Sequence, residues 1–464
     1  MNDRASHHPV TDWTPESWRA MPQPYGPAYG DADALETAVA KLRSLPPLVT
    51  SWEIERLKGF LADAQAGNRF VLMGGDCAEA FADCTPGVIT NKLKILLQMS
   101  LVLVHGGKKP VVRVGRFAGQ YAKPRSSLTE TRTDANGASI TLPSYFGDLV
   151  NHAEFSEDAR RPDPNLLVSG HQHAALTLNF IRALTEGGFA DAHHPEYWDL
   201  SFFGHAAMPA ELRTRYEAMR DDLGHALRFM EAIGEGKVHE LSRVEFFTSH
   251  EGLLLEYEAA LTRVPPRRDR YYDLSTHMPW VGERTRRLDG AHIEFFRGIA
   301  NPVGVKLGPK STPDDAIALA RALNPGAEPG RLAFIARMGA DKVATHLPPI
   351  VEAVRDSGES ALWLCDPMHG NAMTTSSGVK TRSFDDIVAE LEGAFEVHKN
   401  LGVPLAGVHF ELTGDDVTEC VGGAGDITED DLTRNYASFC DPRLNYHQAM
   451  ELAFRVAERM GKGR

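Results

Sequence analysis

Cysteine is scarce: the 464-residue chain has five, Cys77, Cys84, Cys365, Cys420 and Cys440. They are odd in number and widely spread, which excludes a disulfide framework and predicts a reducing, cytoplasmic setting. A basic excess is also missing. The formal net charge of -14 argues against a phosphate-tracking nucleic-acid surface, although a few convergent cations in a cleft can bind anions whatever the total. The most apolar stretch, Leu93 to Val104, is broken by Lys94, Gln98 and Ser100. It falls short of a membrane span and predicts a buried helix, so no membrane is expected as partner. Met1 to Trp13 lacks the apolar centre of a secretory signal. No G-x-G-x-x-G turn follows the first strand-like run, which leaves a dinucleotide site unsupported. No C-x-x-C or H-x-x-H pair is present, so any metal ligands would have to converge through the fold.

What is present suits a globular enzyme: 42% hydrophobic and 24% charged residues. Residues 1–66 read as an arm, with a Pro- and Gly-rich stretch from Pro22 to Gly30 and then two amphipathic helices. The second sets Ile54, Leu57 and Leu61 on one stripe, which must cover either the main domain or another subunit. From residue 67 to 464 we expect one catalytic domain. Short apolar or β-branched runs recur at Arg69–Gly75, Pro110–Gly115, Val244–Ser249, Tyr271–Thr276, Val303–Leu307, Leu332–Ala336, Leu362–Cys365 and Gly407–Glu411. Helical patterns separate them, and eight strand–helix units predict an α/β fold, a (β/α)8 TIM barrel. Helical patterns at Gln172–Glu186 and Ala210–Ile233 predict an insertion at about 150–240, between strands two and three.

Core strands have no reason to end in reactive groups unless a site is built there. These do. Asp76 and Cys77 follow the first run; Arg116 ends the second, and Gln120, Lys123, Arg125 and Ser126 come after it. Glu283 and Arg284 follow the fourth, and later ends carry Lys306, Arg337, Asp366, His369 and Glu411. Cys77, His369 and Glu411, with Asp441 as a fourth candidate, offer thiolate, imidazole and carboxylate, a mixed set suited to a divalent first-row ion. Arg116, Lys123, Arg125, Arg284, Lys306 and Arg337 would repel one another in a single mouth without anionic ligands, and two phosphates and a carboxylate would relieve that. Singly, each has a plain structural reading as a buried thiol, a hydrogen-bonded ring or a rim ion pair.

The motifs Gly74-Gly75-Asp76-Cys77-Ala78-Glu79, Gly119-Gln120-Tyr121-Ala122-Lys123-Pro124-Arg125-Ser126, Ser249-His250-Glu251, Trp280-Val281-Gly282-Glu283-Arg284-Thr285, Asn301-Pro302-Val303-Gly304-Val305-Lys306-Leu307-Gly308-Pro309, Asp366-Pro367-Met368-His369-Gly370-Asn371 and Cys440-Asp441-Pro442-Arg443-Leu444-Asn445 resemble the type II 3-deoxy-D-arabino-heptulosonate 7-phosphate synthases. The resemblance runs from about Trp13 to the C-terminus. It implies condensation of phosphoenolpyruvate with erythrose 4-phosphate, the first step of the shikimate pathway. Also implied are a divalent metal (manganese, cobalt or magnesium) on Cys77, His369, Glu411 and Asp441, and His369 serving as ligand instead of free base. Phosphoenolpyruvate would lie among Arg116, Glu283, Arg284, Lys306 and Arg337, and erythrose phosphate would meet Lys123, Arg125 and Ser126. Lys123 would protonate the new alkoxide, and Glu283 would position or deprotonate a water. A homo-oligomer (dimer or tetramer) and a chorismate mutase partner are further expectations. An amino-sugar variant of the reaction, or a silent scaffold member, are the alternatives. One position departs from the family: Phe146 stands where an Arg is common. Cys440 adjoins Asp441, and a disulfide to Cys77 under oxidation is a further expectation.

Overall fold

A parallel ladder runs through eight short strands: β1 (Phe70–Gly75), β2 (Val111–Arg116), β3 (Phe246–Thr248), β4 (Trp280–Val281), β5 (Val303–Leu307), β6 (Leu332–Ala336), β7 (Leu362–Cys365) and β8 (Leu405–Glu411). The computed structural model describes residues 13–125, 127–133, 137–186, 213–215, 217–218, 221 and 245–462. The strands pair in the order β3-β2-β1-β8-β7-β6-β5-β4. A parallel bridge between Glu251 and Trp280, with Trp280 N–H donating to His250 O and Gly252 N–H donating to Trp280 O, each at 3.0 Å, joins the two ends. The ring is therefore closed, as in a (β/α)8 barrel.

Alternation along each strand decides what enters the barrel. Val71, Met73, Val112, Val114, Ala333, Ile335, Leu362, Leu364 and Ala406 fill its interior, while Leu72, Val303, Val305, Leu307, Phe334, Trp363, Val408 and Phe410 pack outward under the helices. The same parity carries Arg116, Lys306, His409 and Glu411 inward. In the ladder Gly75 pairs with both Glu411 and Arg116, so these three positions share one layer at the C-terminal mouth.

Two helices precede the barrel, α1 (Ala32–Ser44) and α2 (Ser51–Gln65). Thr50 and Glu53 form a capping box that starts α2, the reciprocal bond pattern that satisfies free N–H groups at a helix start. Its Leu57, Leu61 and Ala64 join the barrel interior from the N-terminal end, so this helix covers the main domain, closing the barrel opposite the site. Each such leucine contributes roughly 1.5–3 kcal/mol by burial.

The helix α3 (Pro86–Gly107) is longer than the expected Leu93–Val104 run and is long and apolar enough to cross a membrane by length and composition, yet 67% of its best window is buried. Lys92, Lys94, Gln98 and Ser100 on it are buried as well, which suits a core helix paired through polar contacts. It packs against the C-terminal helix (Tyr446–Lys462), where a Cβ at Gly106 would collide with Ala457.

The fourth strand departs from the expected Tyr271–Thr276. Tyr272–Asp273 instead forms an antiparallel pair with Thr262–Arg263, and the chain enters the barrel only at Trp280–Val281. Tyr272 is apolar enough to mimic a strand because it packs in a second cluster with Leu48, Leu261 and Leu274. Of the expected insertion, the first helical pattern is real and longer, Asn165–Glu186; the second lies almost wholly outside the described residues.

Candidate active site

Strand ends and the loops after them enclose a cavity of about 710 Å³ lined by Lys123, Arg125, Glu251, Trp280, Glu283, Arg284, Lys306, Arg337, His369, Lys380, Arg382 and Asp441, among others. Ser126 lies outside the described residues. Arg116 is not in the lining: it is fully buried below the floor, donating to Glu411 Oε1 at 3.1 Å and to Cys77 O at 3.2 Å, with Nη1 2.8 Å from His409 Nε2.

Cys77, Glu411 and Asp441 each place one ligand atom so that all three lie within 4.8 Å of one another. His369 borders this trio without being one of the three, its Nε2 3.0 Å from Glu411 Oε1 and 4.0 Å from Asp441 Oδ2. Four segments distant along the chain thus converge. Two carboxylates and a thiol facing each other ask for positive charge, and Lys123 Nζ supplies some, 3.3 Å from Glu411 Oε1 and 3.4 Å from Asp441 Oδ2. The donor set fits a divalent first-row ion.

Electrostatics around the cluster have identifiable causes. Burial alone would push the Glu411 carboxyl upward, but His369, Lys123, Arg382 and Arg116 outweigh it and hold the group well below the usual range. Asp441 is lowered too: burial opposes, while Lys123, Arg382 and His369 prevail. The Cys77 thiol goes the other way, pushed up by burial, by its hydrogen bond with Cys440 and by Glu411. Both cysteines are free thiols. Lys306 is brought down to about 8, chiefly by burial, with Asp366 resisting.

Several functional residues went unassigned in the sequence. Asp366 Oδ2 lies 2.7 Å from His369 Nδ1 and also pairs with Lys306. Arg382, fully buried, donates to Glu411 Oε2 at 2.8 Å and to Pro442 O; Lys380 pairs with Asp441. Both sit on a hairpin of Ala372–Thr374 and Lys380–Arg382 that shows no strand alternation. Asp366 was the more readable of these, three residues before His369 in the Asp-Pro-Met-His turn. Arg337 reaches the His369 carbonyl, and Glu283 is 3.1 Å from Arg286. Phe146, where the family often has Arg, is buried among Tyr121, Leu149 and Leu254; its carbonyl accepts from Lys123 N–H at 2.9 Å, so the backbone there supports the Lys123 turn without the side chain.

Comparison with known proteins follows the same line. The model of the class-II DAHP synthetase family matches residues 13–457. A phospho-2-dehydro-3-deoxyheptonate aldolase of Neurospora crassa is 50% identical, covering 96% of this chain and 94% of its own. One of Streptomyces coelicolor is also 50% identical, covering 95% and 96%, and AroG of Mycolicibacterium smegmatis is 47% identical over 96% and 94%.

Proposed function

The chain belongs to the class-II DAHP synthetase family, and from that membership we infer that it is a transferase condensing phosphoenolpyruvate with D-erythrose 4-phosphate and water. The products are 3-deoxy-D-arabino-heptulosonate 7-phosphate and phosphate, in the first step of the shikimate pathway. The observation that carries this reading is the meeting of Cys77, Glu411 and Asp441 beside a cavity walled by Arg and Lys.

In this reading Cys77, His369, Glu411 and Asp441 hold one divalent ion, manganese, cobalt or magnesium. When bound, such an ion acts as a Lewis acid toward the aldehyde oxygen of the sugar phosphate. Arg284, Lys306 and Arg337 bind the carboxylate and phosphate of phosphoenolpyruvate, forks and an ammonium suited to those anions, with Glu283 beside them and Arg116 adding positive charge from beneath. Lys123, Arg125 and Ser126 receive the sugar phosphate. Lys123 then gives a proton to the developing alkoxide as phosphoenolpyruvate attacks through C3, and water captures C2 before phosphate departs. Clamping both anions lowers the entropic cost of a two-substrate step.

Residues 1–66 form the arm and 67–464 the catalytic domain in the same proposal. Trp52 and Leu176, exposed at 66% and 62%, support a homo-oligomer, dimer or tetramer, and offer surface for a chorismate mutase; light scattering, alone and with that enzyme, tests both. Scarce cysteine supports a cytoplasmic place.

Phosphate release is the test of function. It should require both substrates, vanish with a chelator and return with a divalent ion. Turnover with iminoerythrose 4-phosphate and none with erythrose 4-phosphate would instead identify the amino-sugar variant, and no turnover with either would leave a scaffold.

A further inference from the structure

A carboxylate that the scheme above does not use sits two residues beyond Cys77. Glu79 is 4% exposed. Its Oε1 accepts from Gly119 N–H at 3.0 Å and Gln120 N–H at 2.9 Å, and its Oε2 accepts from Ala118 N–H at 3.1 Å. Its own N–H donates to Gln120 O at 2.8 Å. These contacts join the segment after β1 to the segment after β2, which carries Lys123.

The second segment needs such a partner. Past Arg116 the chain leaves the ladder, and Ala118 turns it in the left-handed region at φ 62°, a conformation that a non-glycine residue keeps only where its surroundings enforce it. The turn aims three successive N–H groups at one point, the concave arrangement that binds anions. Beside a cavity walled by cations it would serve a phosphate, yet it is filled from within the chain. Lys92 Nζ, 3.9 Å from Glu79 Oε2, offsets the buried charge. The other side of the turn is fixed too: a Cβ at Gly119 would collide with His250 Nδ1, so the turn is gripped between Glu79 and the end of β3. From Gln120 only three residues lead to Lys123. Gln120 Nε2 donates to Ala122 O at 3.1 Å, Lys123 N–H donates to Phe146 O at 2.9 Å, and Lys123 Nζ reaches Glu411 and Asp441 at 3.3 and 3.4 Å. Arg116 is held by the β1–β2 ladder, and Arg284, Lys306 and Arg337 stand at other strand ends, outside the clamp.

Resting on the condensation reading, we propose that Glu79 is a positioning residue for Lys123. By receiving three N–H groups it fixes the turn that delivers the ammonium to the place where the sugar alkoxide forms. It touches no reacting atom. The spread of its effects follows from where it sits: the sugar-phosphate half of the site depends on it, through Lys123 and Arg125, and the phosphoenolpyruvate half does not. A carboxylate with a purely structural part would lower stability and leave the balance between the two substrates as it was.

The experiment uses the full chain at saturating manganese with Glu79→Ala, which removes every acceptor, and Glu79→Gln, which keeps the shape and one acceptor oxygen. In Glu79→Ala the kcat for phosphate release should fall about 10–100-fold, the scale of loss when a catalytic group is displaced by about an ångström, and the KM for erythrose 4-phosphate should rise about tenfold. Glu79→Gln should recover part of both. Phosphoenolpyruvate affinity, read by tryptophan fluorescence because Trp280 lines the cavity, should stay within about threefold. The deciding measurement is a double-mutant cycle: Lys123→Met combined with Glu79→Ala should lose little more kcat than Lys123→Met alone, because a residue acting through another then has nothing further to remove. Additive losses overturn the proposal, as does a Glu79→Ala kcat within about threefold of wild type, or a phosphoenolpyruvate affinity that falls as far as that for the sugar phosphate. If Glu79→Ala fails to fold, Glu79→Gln takes its place in the cycle with the same outcomes. Wild-type protein that releases no phosphate from the two substrates sinks the condensation reading and the proposal with it, a separate result seen before any variant is made.

Discussion

His369 Nδ1 lies 2.7 Å from Asp366 Oδ2, and that contact decides which ring nitrogen faces Glu411 and Asp441. With Nδ1–H donated to a carboxylate that His369 and Lys306 hold ionised against burial, Nε2 is left with its lone pair toward Glu411 and Asp441. An imidazole oriented this way presents a fixed Nε2 lone pair to a metal.

The Asp366→Asn protein should therefore lose about 10–100-fold in divalent-ion affinity, the usual effect of removing a ligand's supporting partner. Competition with a fluorescent chelator measures it. An unchanged dissociation constant would mean that Asp366 serves Lys306 alone.

For Lys306 the expectation concerns substrate discrimination. Its ammonium is buried at the cavity wall and tied to Asp366, on β5 with Trp280 beneath it at 5.0 Å from ring to Nζ. Lys306→Ala should weaken phosphoenolpyruvate binding by at least tenfold and leave the erythrose phosphate KM nearly as it was. Equal losses for both substrates would move Lys306 out of the phosphoenolpyruvate site.

Seven of the eight barrel strands were legible because a strand buried on both faces writes a continuous apolar run, as Phe70–Gly75 and Leu332–Ala336 do. The fourth was not, since two residues, Trp280 and Val281, write no run at all, while Tyr271–Thr276 is apolar for another reason, its packing beneath the arm. Site residues were readable where chain parity and strand ends coincide: Lys306 and Glu411 follow from their strands. Counter-ions were not. Nothing in the sequence says that Arg116 lies under the floor with Glu411 and His409, or that Arg382 arrives from a hairpin, because the pairing of buried charges is settled only when the loops close.

A buried carboxylate away from the metal cluster sets a pH dependence. Glu258 Oε1 is 2.9 Å from His250 Nε2, and its Oε2 accepts from Ser275 Oγ at 2.6 Å. Burial pushes Glu258 up to about 7, with Asp273 and Ser275 hydrogen bonds resisting. A carboxyl raised on folding favours the native state fully below its ordinary value, and that contribution is lost as pH rises through about 7. His250, brought down to about 4 by burial, acts oppositely: its native state binds protons less readily, so it weakens folding as pH falls below the ordinary histidine range. The informative quantity is thus the difference between wild type and Glu258→Gln. Over pH 5 to 7.5 the stability advantage of wild type should shrink by roughly 2 kcal/mol, measured by urea unfolding at each pH. A constant difference would show that Glu258 stays ionised throughout.

The loop bearing Cys440 and Asp441 is anchored by Arg443, and its loss should be felt twice. Arg443 Nη1 donates to Asp76 Oδ1 at 2.7 Å, and its Nε and Nη2 donate to Glu419 at 3.0 and 2.8 Å. Asp76 in turn pairs with Lys92 of α3, so one buried network ties the segment after β1, which carries Cys77, to the segment carrying Asp441. Arg443→Met keeps much of the volume but takes from Asp76 one of its two cations and leaves Glu419 with backbone N–H donors alone. Breaking a buried pair from one side costs about 3–5 kcal/mol, which urea unfolding of the metal-free protein should show. Metal affinity should fall as well, because the loop is no longer held at the distance at which Asp441 N–H meets Cys77 Sγ, 3.2 Å. Lower stability with undiminished metal affinity would mean that Asp441 is held by Lys380 and Lys123 without help from this network.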